Sequence, residues 1–239
     1  MRFNMIAPLA MAATILTASP AFAQDEEESS AIELSANVAL VTDYRFRGVS
    51  FSDEDLAIQG GIDLSHESGF YIGTWASSLE EGAGPFGHTE LDVYGGWAGD
   101  LAEGVSVDIG LLYYAYPNST PGVDTEYFEP YASIGTALGP VEATFGVAYA
   151  WDQDSLGGDN TYIYGDLGTA VPDTPVSVTA HLGYSDGSLD YGSGGYLDWS
   201  VGADVSLDIL TLGVAYIDTD LPSVAGQDSA VVFTLGASF

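Results

Sequence analysis

The sequence predicts an all-β fold, an antiparallel transmembrane β-barrel of about 12 strands with short periplasmic turns and long extracellular loops. Three observations predict it. From Leu34 onward, apolar residues recur with period two, which sends successive side chains to opposite faces of a sheet. The connections between these segments alternate between tight turns and long loops rich in Gly, Asp, Ser and Pro. No window of roughly 18 apolar residues follows the N-terminal region, so no membrane-crossing helix is expected.

At the N-terminus, Arg2 precedes an apolar run from Met5 to Leu16 and the triplet Ala21-Phe22-Ala23, which fits the small-x-small rule of a cleaved secretory signal. That run is shorter than the roughly 20 residues an α-helix needs to span hydrocarbon. Residues 1–23 are therefore read as a signal peptide, 24–33 as a flexible acidic leader and 34–239 as a single transmembrane β-barrel domain.

Twelve alternating segments follow, at 34–46, 57–66, 69–77, 88–99, 104–116, 125–138, 140–151, 160–171, 175–185, 195–208, 210–218 and 229–239. In the seventh, Val141, Ala143, Phe145, Val147, Tyr149 and Trp151 share one face and Glu142, Thr144, Gly146, Ala148 and Ala150 the other. Tight turns are expected at "HESG", "DLAE", "LGP", "PDT" and "LDI", and long loops at the alternate junctions. Hydrocarbon offers no hydrogen-bond partner, so a sheet crosses it only when closed, without a free edge. Tyr44, Phe46, Tyr149, Trp151, Tyr184, Tyr216 and Phe239 fall near segment ends, where aromatic girdles meet the lipid interface.

Composition narrows the function classes. The chain has 35 acidic residues, and beyond Arg2 its only strong cations are Arg45 and Arg47. Such a chain is repelled by phosphate, which excludes nucleic acid as a partner. The hydrophobic fraction of 46%, with 15 Tyr, excludes a disordered acidic tail. Without Cys there are no disulfide staples. Acid-rich, Lys-free composition is also what a saline habitat selects.

With the apolar face turned to lipid, parity points Asp63, Glu90, Asp92, Asp108, Glu129, Glu142, Asp166, Asp198 and Asp204 into the lumen. It does the same for Asp43, Arg45 and Arg47, with Tyr44 and Phe46 taking the lipid face. Two roles are open for the Arg pair. They pair with Asp43, Asp63 or Asp92 and hold the barrel together, or they set a transverse field at a constriction facing the carboxylates. About eight strands leave a filled interior and 16 to 18 an open channel, so about 12 predicts a narrow one. Inward Gly61, Gly96, Gly110, Gly146, Gly183 and Gly202 leave space that Tyr94, Tyr114, Tyr127, Tyr131, Tyr162 and Tyr164 take up.

The stretch from Ser35 to Ser77 carries "DYRFRG", "AIQGG" and "SHESG" followed by "YIGTW". In that order and spacing it resembles the TorF-type porin family of small Gram-negative outer-membrane proteins. The resemblance implies a barrel and diffusion of small solutes. Phe51 and Leu56 depart from that family's pattern, so the function of the first long loop carries over least. The terminal "VVFTLGASF" ends on Phe239, which resembles the aromatic tag read by the outer-membrane assembly machinery.

Other chemistry is weakly supported. "HES", His66 to Ser68, has the residue types of a membrane esterase or phospholipase, but it sits in an expected tight turn with no third residue to orient the base. "DQDSLGGDN" lacks the Glu of a calcium loop, its twelfth position from Asp152 being Ile163. The three His lack zinc-ligand spacing. The expectation is no catalytic residue, metal or cofactor. It is a porin of the Gram-negative outer membrane that passes small hydrophilic solutes or ions through a narrow, acidic, cation-preferring lumen, with membrane lipid around it. The alternative is a closed structural or adhesin-like barrel with a plugged lumen.

Overall fold

The computed structural model describes residues 31–80 and 84–239, so the signal peptide and most of the acidic leader lie outside the described residues. Among the described residues fourteen strands run in chain order: β1 (Ile32–Val41), β2 (Arg45–Phe46), β3 (Val49–Ser50), β4 (Ala57–His66), β5 (Phe70–Ser78), β6 (Thr89–Ala102) and β7 (Val105–Ala115). They continue with β8 (Tyr127–Leu138), β9 (Val141–Ala150), β10 (Asn160–Ala170), β11 (Val176–Gly187), β12 (Tyr196–Leu207), β13 (Leu210–Thr219) and β14 (Ala230–Ser238). All but β2 and β3 form one closed antiparallel barrel of twelve strands, in which β1 pairs with both β4 and β14. Closure is sealed at the terminus, where Ala36 and Phe239 exchange backbone hydrogen bonds of 3.1 and 2.8 Å.

Eleven of the twelve expected segments match their strands to within three residues at each end. The first does not: the expected strand to residue 46 stops at Val41. There the side chain of Thr42 takes over the ladder, its Oγ1 accepting the Phe233 N–H at 2.9 Å while Thr42 N donates to Phe233 O. With the wall's hydrogen bonds satisfied by one short side chain, the backbone is released inward.

Along the barrel strands, one face alternates with the other. Outward Leu34, Ile58, Ile72, Phe145, Leu182 and Phe233 remain exposed, a continuous apolar belt of the kind a barrel presents to lipid. Inward positions pack glycine against tyrosine. A Cβ at Gly96, Gly110, Gly146 or Gly183 would overlap the ring of Tyr71, Tyr131, Tyr164 or Tyr162 from the neighbouring strand. The glycines therefore let tyrosines lie close against the wall, which keeps ring area while sparing the centre of the lumen.

Candidate functional site in the barrel lumen

The inward segment builds a plug. Asp43 organises it: its carboxylate accepts from Arg45 Nε, from Ser50 Oγ at 2.6 Å and from Ser52 Oγ at 3.2 Å. Tyr44 and Phe51 close the next rung, with Phe51 N donating to Tyr44 O at 2.7 Å and Tyr44 N to Ser52 Oγ at 2.9 Å. β2 and β3 then pair across Arg47-Gly48, whose φ values of 48° and 83° mark a type I′ turn. Gly48 supplies one left-handed position, and a Cβ there would run into the Thr219 and Asp198 side chains on the wall. Every residue from Asp43 to Val49 is buried.

The tip crosses the lumen. Six steps around the twelve-strand ring from β1 lies β9, and Arg47 engages the strands on either side of it. Its Nη2 donates to Glu129 of β8 at 2.7 and 2.8 Å, and its Cζ lies 4.2 Å from the ring centroid of Tyr162 of β10. Tyr196 of β12 donates to Arg47 O at 3.0 Å. Burial pulls the Arg47 guanidinium down, but the Glu129 carboxylate and Tyr114, Tyr127 and Tyr162 outweigh it and hold the group above its ordinary pKa. It is a permanent cation. Arg45 stays within the loop region, donating to Gly48 O at 3.0 Å and Asp228 O at 2.6 Å.

These contacts correct three expectations. Tyr44 and Phe46 lie in the lumen, not on the lipid face: Tyr44 is 1% exposed and donates to Glu90 at 2.9 Å, and Phe46 meets Tyr114 edge-on. Strand parity does not apply to a segment that has left the wall, so the spacing of the two Arg is not one step along a barrel strand. It is the spacing that puts one Arg at the base of a hairpin and the other in its turn. Arg47 meets Glu129, not Asp63 or Asp92, while Arg45 meets Asp43.

The predicted acids fall into two sets. Glu90, Asp92, Glu129 and Asp198 are buried around the plug. Asp63, Asp108, Asp166 and Asp204 line the other half of the lumen, towards the tight turns, and are half-buried; Glu142 is exposed at that rim. In this open half Tyr71 donates to Asp108 at 2.6 Å and touches the Tyr131 hydroxyl, and Tyr94 donates to Asp63. His181 lies between Asp166 (Nδ1, 2.6 Å) and Asp198 (Nε2, 3.1 Å), with the Tyr162 hydroxyl 2.9 Å from Nε2. It joins the two halves.

Sequence reasoning missed Tyr196, Ser50 and Ser52. The available signal was Gly48 interrupting an alternating run, since a lone Gly in a strand pattern marks a bend or close approach. His66 Nδ1 does lie 2.7 Å from Ser68 Oγ, but in the exposed turn between β4 and β5. Among the described residues no group of three or more His, Asp or Glu is placed to hold a metal ion.

A family model described as "Bacterial protein of unknown function (Gcw_chp)" matches residues 25–239. No curated protein matches the sequence. Among solved structures, the KdgM porin in complex with disordered oligogalacturonate is similar over 86% of this chain and 98% of its own, at 8% identity and a TM-score of 0.60. An outer membrane channel from Pseudomonas putida F1 is similar over 90% and 97%, at 14% identity and a TM-score of 0.48. The outer membrane protein opdK from Pseudomonas aeruginosa is similar over 77% and 57%, at 11% identity and a TM-score of 0.47. At such identity the likeness to KdgM speaks for the fold.

Proposed function

We propose that this chain, which belongs to the Gcw_chp family, is an outer-membrane porin-type channel for passive diffusion of small hydrophilic solutes, with a preference for cations and a constriction formed by the β2–β3 hairpin. One observation carries the reading. The inner wall of a closed barrel bears Asp63, Asp108, Asp166, Asp198 and Asp204, and no barrel strand carries a Lys or Arg. Inward carboxylate rings attract cations and repel anions. The TorF-type resemblance supports the same class of protein. In this reading the tight turns and both barrel termini face the periplasm, the long loops face outward, and Phe239 serves as the assembly signal.

A second reading has its own observation. The hairpin is buried and its tip reaches the far wall, as in a closed structural or adhesin-like barrel. Single-channel current through the refolded chain in a planar bilayer, under a salt gradient, separates the two. Discrete steps with a reversal potential of cationic sign are expected; no steps from demonstrably folded barrel would hand the case to the closed reading.

A further inference from the structure

The seat of Arg47 is imperfectly matched to its occupant. Arg47 Nε and Nη1 are buried without a hydrogen-bond partner, and so are Glu90 Oε2 and Asp92 Oδ1 on β6. Unused donors and unused acceptors thus coexist in one buried region, a combination native interiors rarely tolerate without reason. Asp92 lies within electrostatic reach of both Glu90 and Glu129, and Tyr127 of all three carboxylates and of Arg47. One guanidinium therefore sits among acids that outnumber it. Its backbone is held at φ 48°, a left-handed conformation that a non-Gly residue seldom adopts. The ordered chain thus places a cation in this seat at the expense of geometry elsewhere.

We infer that the Glu90, Asp92 and Glu129 cluster, faced by Tyr162, is a binding site for a small organic cation bearing a guanidinium or amine group, and that Arg47 is a built-in competitor which such a solute displaces. The inference rests on the channel reading, whose solute class it narrows. Two features select an organic cation over a metal ion. The site offers an aromatic face at 4.2 Å from a guanidinium carbon, which suits a flat, weakly hydrated cation. The carboxylates, among the described residues, are not grouped to coordinate a metal. The free acceptors on Glu90 and Asp92 give an incoming solute bonds that Arg47, tethered by its turn, does not make. Displacement frees the hairpin tip from the far wall, so the solute opens its own path.

The test is calorimetric titration of the refolded, detergent-solubilised chain with methylguanidinium chloride, with N-methylurea as the neutral isostere, both at millimolar concentrations. Saturable binding of the cation and none of the isostere is expected. Arg47→Gln removes the competitor and should tighten binding by about tenfold, because occupancy by Arg47 taxes the free site. Arg47→Lys, the variant that keeps the hairpin charged, should tighten it less, since an ammonium still competes for the Glu129 carboxylate that Arg47 Nη2 now holds. Glu129→Gln, or Asp92→Asn should the former misfold, should weaken it by about tenfold. Equal binding of the isostere, or an affinity unmoved by any of these changes in folded barrels, overturns the site. The bilayer measurement keeps the two readings apart: current steps without methylguanidinium binding sink the site and leave the channel, whereas binding without steps sinks the channel and leaves the site.

Discussion

The two halves of the lumen are lined by the same rule and filled by different means. Towards the long loops, a ten-residue segment from Asp43 to Ser52 leaves the wall and inserts, so that Glu90, Glu129 and Asp198 become buried partners of a hairpin. Towards the tight turns nothing inserts, and Asp63, Asp108, Asp166 and Asp204 stay half-buried along a water-accessible wall braced by tyrosine hydroxyls. Alternation decides which side chains face inward; where one strand ends decides what occupies the space they enclose. The break lies at Thr42.

Removing that difference should have the largest effect. Replacing Asp43–Ser52 by a short Gly/Ser link leaves the β1–β4 and β1–β14 ladders whole, because both end at Val41. The barrel should still close, and its single-channel conductance should rise by about fivefold or more, since a twelve-strand lumen without insertion is intermediate between a filled and an open barrel. A conductance equal to that of the intact chain would place the constriction elsewhere.

Next in size is the anchoring ion pair. Glu129→Gln leaves Arg47 buried without its carboxylate, and loss of one partner of a buried pair costs about 3–5 kcal/mol. That energy belongs to hairpin docking, not to the barrel ladders. Hydrogen exchange should therefore speed up at Ser50 N and Phe51 N, whose partners are Gly226 O and Tyr44 O, while strand amides keep their protection. Asp108→Ala in the open half removes the acceptor of the Tyr71 hydroxyl at a half-buried site, and should cost about 1 kcal/mol. Equal exchange rates for the two variants would erase the distinction between the halves.

Most of the barrel was legible in the sequence and the plug was not, for a physical reason. A strand that spans lipid must alternate along its whole length, so period two and turn chemistry locate its ends closely, as at β4 and β10. The run Asp43 to Ser50 also alternates, because a hairpin inside a lumen obeys the same pleat. Its environment is protein on both faces, however, so Tyr44 and Phe46 bury as well as Arg45 and Arg47 do. Period reports local geometry; which surface receives each face depends on pairing partners far away in sequence, such as Thr234 and Ala57 for Val41. Pairing across the lumen, as of Arg47 with Glu129, leaves no local trace at all.

A smaller effect probes the wall that both halves share. Gly146→Ala would drive a methyl group into the Tyr164 ring and should destabilise the barrel by about 1–3 kcal/mol, read as a lower urea midpoint. Gly165, on the opposite face of the next strand, has its nearest neighbour at 3.8 Å from the added carbon, so Gly165→Ala should shift the midpoint little. Equal losses at the two sites would mean that glycine in these strands serves backbone bending, not ring packing.

The smallest expected change is in selectivity at the open end. Asp204 is half-buried and faces the lumen near the turn rim, where solvent and salt reach it. At 0.1 M salt the screening length is about 10 Å, so one carboxylate in a water-filled half influences only ions passing close to it. Asp204→Asn should lower the cation-to-anion permeability ratio by less than about twofold. Asp198 is buried, holds His181 and Tyr162, and lies beside the tip of the hairpin, where burial leaves its charge unscreened by salt. Asp198→Asn should therefore lower the ratio more than Asp204→Asn does. If the exposed acid proved the stronger determinant, selectivity would be set by the mouth near the turns, and the hairpin would act as a door that excludes by size without reading charge.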